Sequence, residues 1–188
     1  AHLLKEQGYD VRAVVMKMSE LHEKTVAAAK EAAGSLRIPL TVLDLRDVFR
    51  ENVISYFIRS YQSGITPNPC VVCNPTVKFK YLIEEADRQG CAFAATGHYA
   101  KLRCREDGRV ELLRGDSDQR DQSYMLYRLG QDVLSRLIFP LGEFRSKEKT
   151  REVARDGKLS NADKKDSQEI CFIEDGDDYK AFLRRNGC

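Results

Sequence analysis

The chain has 188 residues, the length of one domain or of one domain with part of a second. Thirty-one Lys and Arg against 29 Asp and Glu leave a formal charge of +2, which excludes a histone-like polycation without excluding a local basic face. Hydrophobic residues at 42% and charged residues at 32% exclude a disordered chain, and no apolar run approaches the roughly 20 residues of a membrane-spanning helix, so no membrane partner is expected.

In chain order, residues 3–7 close a helix with Gly8 behind them, and 11–16 form a short apolar, β-branched strand. Residues 23–36 place Val26, Ala29, Ala33 and Leu36 on one helical face. A strand over 40–45 and a helix over 52–63 follow, the latter bearing Val53, Phe57 and Tyr61. Residues 64–69, with Gly, Pro and Asn, read as a loop; 77–89 as a helix ended by Gly90; and 91–95 as a small buried strand. Alternating strand and helix over the first hundred residues predicts an α/β fold with a doubly wound parallel sheet.

The pattern then changes. Residues 99–105 and 109–114 flank Asp107 and Gly108, a hairpin signal. Helices are predicted over 132–139, 146–156 and 177–185, with an incomplete capping box at Ser146. The expected division is an α/β region over 1–135 and the start of a helical region over 136–188.

Six cysteines, Cys70, Cys73, Cys91, Cys104, Cys171 and Cys188, are too sparse for a disulfide-stapled secreted scaffold. The chain opens in helical sequence with no leader, so the expected compartment is the reducing cytoplasm. Both ends read as cut through a longer protein. In such a compartment a Cys-x-x-Cys pair is metal-binding or catalytic more often than structural. Cys70 and Cys73 form one, stiffened by Pro67 and Pro69, at the start of a helix whose positive end favours thiolate. A local zinc site would need a second pair, and there is no further Cys-x-x-Cys; two thiols by chance is the plain alternative. Cys91 and Cys104 read as small buried hydrophobes. Cys171 would read the same way but for the polar run leading into it.

Gly97 and His98 follow a predicted strand, where a glycine lets a ligand approach the backbone and the histidine can touch phosphate or base. Arg120, Asp121 and Gln122 read as a polar turn or an RNA contact. Residues 145–165 hold eight basic and four acidic side chains, a solvated face that also suits a phosphate backbone. Neither a Walker-type loop nor Gly-x-Gly-x-x-Gly is present.

Taken in order, residues 3–11, 15–17, 66–74 (Thr-Pro-Asn-Pro-Cys-Val-Val-Cys-Asn), 95–100 (Ala-Thr-Gly-His-Tyr-Ala), 121–124 and 162–173 (Ala-Asp-Lys-Lys-Asp-Ser-Gln-Glu-Ile-Cys-Phe-Ile) resemble the tRNA-specific 2-thiouridylase family. The resemblance covers almost the whole chain. It implies an adenine nucleotide alpha hydrolase-like, Rossmann-like domain that uses ATP and Mg2+ to adenylate the C2 oxygen of the wobble uridine of tRNA. Sulfur arriving as a persulfide, from a donor protein or a sulfide source, then displaces AMP. By the same resemblance Cys73 matches the nucleophilic cysteine and Cys171 the persulfide carrier. Met16 and Gly97 match nucleotide contacts; Asn68, Pro69 and Cys70 match target-base contacts; and His98, Arg120, Asp121 and Gln122 match tRNA contacts.

Three departures stand out. The family's Ser-Gly-Gly-x-Asp-Ser pyrophosphate loop would precede residue 1, the stretch between Met18 and Glu23 is short, and Cys70 stands where many members carry Asp. The last creates a Cys70, Cys73 and Cys171 trio, which could hold a 4Fe–4S cluster. The cluster-free alternative is a transient Cys73–Cys171 disulfide. Another ATP-pyrophosphatase-type synthetase and a non-catalytic RNA- or metal-binding module are the rival functions.

Overall fold

The computed structural model describes residues 1–159, 170–174 and 176–187. Helix α1 (His2–Glu6) ends as its sequence dictates: Gly8 takes φ +87°, and its N–H reaches Lys5 O at 3.0 Å while that of Tyr9 reaches Leu4 O at 3.1 Å. Strand β1 (Ala13–Lys17), a 3-10 turn at Glu20–His22, helix α2 (Glu23–Leu36) and strand β2 (Leu40–Asp44) come next. β1 and β2 pair in parallel, with Ala13 opposite Leu40 and Lys17 opposite Asp44, so α2 is the crossover of a β-α-β unit. α2 buries Val26, Ala33 and Leu36, the face its periodicity marks.

The next helical run is longer than its sequence predicts. It starts at α3 (Arg46–Phe49), passes through a π-helical turn at Arg50–Ile54 and continues as α4 (Ser55–Gln62). Phe49, Val53 and Phe57, four residues apart, are fully buried along it. The following run also begins early. Asn68, read above as loop, is an N-cap whose side chain accepts from the Cys70 N–H at 3.1 Å, and Pro69 occupies the first helical position. Helix α5 (Pro69–Cys73) thus leads through a second π-helical turn, Asn74–Lys78, into α6 (Phe79–Arg88).

Strand β3 is only Ala94–Ala95 and pairs in parallel with β6 (Leu137–Ile138), where the sequence predicts helix over 132–139. Helix α7 (Gln131–Leu134) stops short because the apolar run at 137–139 is drawn into the sheet instead. The Arg136 guanidinium fixes that pairing by donating to Ala92 O (2.6 Å), Cys91 O (2.9 Å) and Asp87 (2.9 Å). The predicted hairpin forms between β4 (Ala100–Cys104) and β5 (Val110–Arg114), antiparallel, with Gly108 at φ +80° in its turn. Cys104, expected to be buried, is exposed at the end of β4. Ser146 caps α8 (Lys147–Asp156) by accepting from Lys149 N–H at 3.3 Å, with no need for the rest of the box, and Asp178 caps α9 (Tyr179–Arg185).

The parallel pairs with their helical connections are the α/β, Rossmann-like architecture expected. Among the described residues the strands form three two-stranded sheets, not one continuous sheet. Two cores result. Phe49, Val53, Phe57, Cys73, Val77, Phe172, Ile173, Phe182 and Leu183 form one, and the other surrounds Phe79, Ala100, Leu126, Leu137 and Phe139.

Candidate functional site

Cys73 and Cys171, nearly a hundred residues apart, meet through the first core. Cys73 is itself one of its buried members, on the last turn of α5. Phe172 and Ile173, directly after Cys171, are two more. The Phe172 ring packs edge-on to Phe57 and Phe49, at centroid distances of 5.3 and 5.7 Å, and lies 5.3 Å from Phe182. The core thereby fixes where residue 171 must lie, and the thiols of Cys70, Cys73 and Cys171 are close enough to feel one another's charge.

Their ionisation departs from the sequence expectation. Burial pushes the Cys73 thiol up to about 11, against the opposing pull of the Lys78 ammonium and a hydrogen bond from the Lys78 backbone. Cys171 is exposed as a residue, yet desolvation of its thiol also raises its pKa, again opposed by Lys78. The positive end of a five-residue helix does not overcome the loss of water around a sulfur anion. Both groups therefore rest as thiols near neutral pH.

Lys78, which sequence reading passes over, is where the parts converge. It ends the π-helical turn that begins beside Cys73. Its charge also reaches His22, in the 3-10 turn after β1, and His98, in the loop after β3. The only advance signal was a cation five residues beyond Cys73; the π-helical turn that places it there has no sequence signature. In α/β folds the loops leaving the carboxyl ends of parallel strands are where ligands bind. His22 and His98 stand in the segments that leave β1 and β3.

His98 is not the exposed phosphate contact its loop position allows. It is buried against Phe79 and Phe139, its Nδ1 lies 2.7 Å from Thr96 Oγ1, and burial followed by the Lys78 charge holds its pKa at about 3. At neutral pH it carries no charge to offer a phosphate. Gly97 beside it has ordinary dihedrals, and a Cβ there would meet only Leu141 Cδ1, at 3.5 Å. Met16, in β1, is partly buried against the Phe49 core.

The Gly97 turn is joined to the polar turn at 120–122. Gln122 Oε1 accepts from the Tyr99 N–H at 3.0 Å, and the Gln122 N–H donates to Tyr99 O at 2.9 Å. Asp121 accepts from the Gly115 N–H at 2.9 Å and from the Ser123 hydroxyl at 2.8 Å. Desolvation opposes its ionisation, but these bonds prevail and lower its pKa. Its side chain is thus engaged in holding the turn. The Arg120 charge reaches Glu148 on α8, and the Tyr99 hydroxyl lies 2.7 Å from Thr150 Oγ1, which brings the basic helix beside both turns. The rest of the predicted basic run, and the residues leading into Cys171, lie at 160–169, outside the described residues.

Asn68, Pro69 and Cys70 sit together at the start of α5, with Pro69 buried and Cys70 exposed. The three thiols do not form a ligand set: among the described residues no three His, Cys, Asp or Glu side chains are gathered as a metal site. With Cys73 in an apolar core and its thiol and that of Cys171 disfavoured as anions, the residues do not fit a cluster as they stand. A cavity of about 460 Å3 opens between β1 and β3, walled by Val14, Ala94, Leu82 and Ala86 among others. Cys91 lines it, but none of Cys70, Cys73, Cys171, Met16, Gly97 and His98 does.

This arrangement is a Rossmann-like parallel α/β domain that brings together two thiols from distant segments. The chain belongs to the family described as the tRNA methyl transferase HUP domain, whose model matches residues 1–175. It is 46% identical over 187 residues to the tRNA-specific 2-thiouridylase MnmA of Clostridium perfringens, covering 93% of this chain and 52% of that protein. To the protein of that name from Chloroflexus aurantiacus it is 45% identical, over 98% of this chain and 54% of the relative. A third, MnmA 2 of Syntrophus aciditrophicus, is 51% identical over 85% of this chain and 46% of its own length. The chain spans about half the length of the curated relatives it matches. The resemblance drawn from the cysteine and Gly97 motifs is borne out across most of the sequence. No helix among the described residues is long and apolar enough to cross a membrane.

Proposed function

We propose that this chain carries the nucleotide- and sulfur-handling part of a cytoplasmic enzyme that 2-thiolates the wobble uridine of tRNA at the expense of ATP. The observation that carries this reading is the meeting of Cys73 and Cys171, from segments nearly a hundred residues apart, at one core of the domain. Two thiols brought together from distant segments suit sulfur transfer, in which one carries the sulfur and the other releases it.

In the proposed sequence the C2 oxygen attacks the α-phosphorus of ATP and pyrophosphate leaves. The terminal sulfur of a Cys171 persulfide adds at C2 and AMP departs with its oxygen. The Cys73 thiolate then attacks Cys171 Sγ and the bond between that sulfur and the base-bound sulfur breaks. The base keeps the transferred sulfur with both bonding electrons as 2-thiouridine, and a Cys73–Cys171 disulfide remains for an external dithiol to reduce. Cys73, resting protonated in its apolar surroundings, is held back from premature attack. In this reading Gly97 contacts the nucleotide, and Arg120, Gln122 and the α8 face contact tRNA. The division into 1–135 for nucleotide chemistry and 136–188 for the start of an RNA-facing region belongs to the same proposal.

Full-length protein incubated with ATP, a persulfide-bearing sulfur donor, a dithiol and unmodified tRNA yields 2-thiouridine detectable by nucleoside mass spectrometry. Cys73→Ser and Cys171→Ser each reduce the product by at least about a thousandfold, since each nucleophile is used once per turnover. Activity surviving in Cys73→Ser would point to another ATP-pyrophosphatase-type synthetase. Salt-sensitive tRNA binding without ATP consumption would point to a binding module.

Gly97→Ala provides a separate check on the nucleotide assignment. The one contact its methyl would make is an ordinary one, so the melting temperature stays within about 2 °C. ATP binding, followed by isothermal titration, weakens about tenfold or more because the methyl occupies the ligand's approach. Unchanged affinity would remove Gly97 from the nucleotide site.

A further inference from the structure

The segment 122–129 is wound in tight turns with three-residue spacing. The N–H groups of Met125, Leu126 and Leu129 donate to the carbonyls of Gln122, Ser123 and Leu126 at 3.2, 3.0 and 3.0 Å, and in a 3-10 winding side chains three apart share one edge. Leu126 and Leu129 take the inward edge and are buried in the second core. Tyr124 and Tyr127, also three apart, face outward at 58% and 68% exposure, with Arg128 exposed beside them. The segment is held from two sides. Asn74, the fully buried residue after Cys73, donates its Nδ2 to Met125 O at 2.9 Å, and Gln122 is bonded to Tyr99 through both its side chain and its backbone. The 3-10 turn Ser123–Met125 therefore packs on α5, whose first turn carries exposed Cys70.

A lone surface tyrosine needs no explanation. Two rings on one edge of a held turn do, since each offers roughly 150–250 Å2 of surface from a backbone with little freedom to fold it away. The neighbouring chemistry selects the partner. An apolar protein face is met by aliphatic side chains, whereas this edge combines tyrosines with a guanidinium. Ring faces receive the faces of unstacked bases and an arginine pairs with phosphate, the combination that holds single-stranded nucleic acid. We propose that Tyr124 and Tyr127 form a stacking platform for unpaired bases of an RNA loop, with Arg128 on its backbone. The identity of that RNA as the anticodon arm of tRNA rests on the thiolation reading. Asn74 ties the platform to the helix that ends at Cys73, so a loop stacked there is registered against the sulfur site.

The test uses full-length protein, a stem–loop RNA with the anticodon-arm sequence of a tRNA bearing uridine at the wobble position, and a fully paired duplex of the same length. Tyr124→Leu and Tyr127→Leu each weaken stem–loop binding about tenfold and leave duplex binding within about twofold, while Tyr124→Phe and Tyr127→Phe, which keep the ring face, stay near wild type. The salt slope of stem–loop binding is unchanged in the Leu variants and falls by about 0.7 in Arg128→Met, which gives up one phosphate contact. Because both rings face outward, the melting temperature stays within about 2 °C. Nitration of the unsubstituted protein by tetranitromethane, followed by peptide mass spectrometry, decides the matter without any variant: both tyrosines react in the free protein and are protected by the stem–loop but not by the duplex. Tyrosines that resist nitration in the free protein are covered by another part of the chain, which overturns the proposal. So does stem–loop affinity that is unchanged in the Leu variants, or that falls only as far as duplex affinity does. Absence of 2-thiouridine from the wild type, with tyrosine-dependent stem–loop binding intact, overturns the thiolation reading alone.

Discussion

Phe172→Ala is expected to lower the melting temperature of the protein by about 10 °C and to release Cys171 from its place beside Cys73. The ring is 5% exposed and packs on three other aromatic rings at 5.3 to 5.7 Å. Truncating a buried phenylalanine costs about 3–5 kcal/mol, and at roughly 2–4 °C per kcal/mol for a domain of this size the shift follows. The functional consequence is larger than the thermal one. Phe172 and Ile173 are the members of the core adjacent to Cys171, and the rings of Phe49 and Phe57 locate Phe172 from the opposite helix. With the ring gone, Cys171 loses its registration with Cys73 while each thiol remains chemically intact. The signature is a fall in thiolation with a rise in Cys171 alkylation, while Cys73 stays protected. Phe172→Leu, which refills most of the volume, recovers the greater part of both. An unchanged melting curve together with unchanged Cys171 alkylation would show that the core does not place the cysteine.

What was legible in the sequence, and what was not, follows from the range over which each signal acts. α2 was read to its last residue because its apolar spacing and its boundaries are local. The hairpin was read because Asp107 and Gly108 announce it. β6 was misread as helix because a two-residue strand owes its existence to a partner forty residues away, β3, and to Arg136 bridging to the same segment. The early start of α5 was misread for a different reason: Asn and Pro signal both a loop and a helix N-terminus, and only the geometry separates the two. At the site, the cysteines were visible as a motif, but their protonation was not. Position at a helix start favours thiolate, whereas burial, set by Phe57 and Phe172 from distant segments, opposes it and wins. Lys78 was passed over because nothing local distinguishes it from any other helical lysine.

Gly142→Ala is expected to fail where Gly97→Ala succeeds, although both glycines flank the same region. At Gly142 an added methyl would lie 2.2 Å from Ala100 O and 2.7 Å from Lys101 Cγ. The nearest obstacle is backbone at the first residue of β4, which no rotamer change can clear. The segment cannot simply withdraw either: the Gly142 N–H donates to Phe139 O at 3.1 Å, and Gly142 O accepts from the Asp116 N–H at 2.9 Å. β4 must therefore shift relative to the turn at 139–142, at a cost of about 1–3 kcal/mol or more. Ala100 is fully buried in the second core and follows Gly97, His98 and Tyr99 directly, so the displacement is transmitted to the turn that Gln122 holds through Tyr99. Thermal unfolding should show a loss of several degrees, and tRNA binding should weaken in proportion, since Arg120 and Gln122 move with that turn. A Gly142→Ala protein with wild-type stability and wild-type tRNA affinity would mean that β4 and the 139–142 turn are free to move apart, and that the pairing of Tyr99 with Gln122 does not position the surface proposed for RNA.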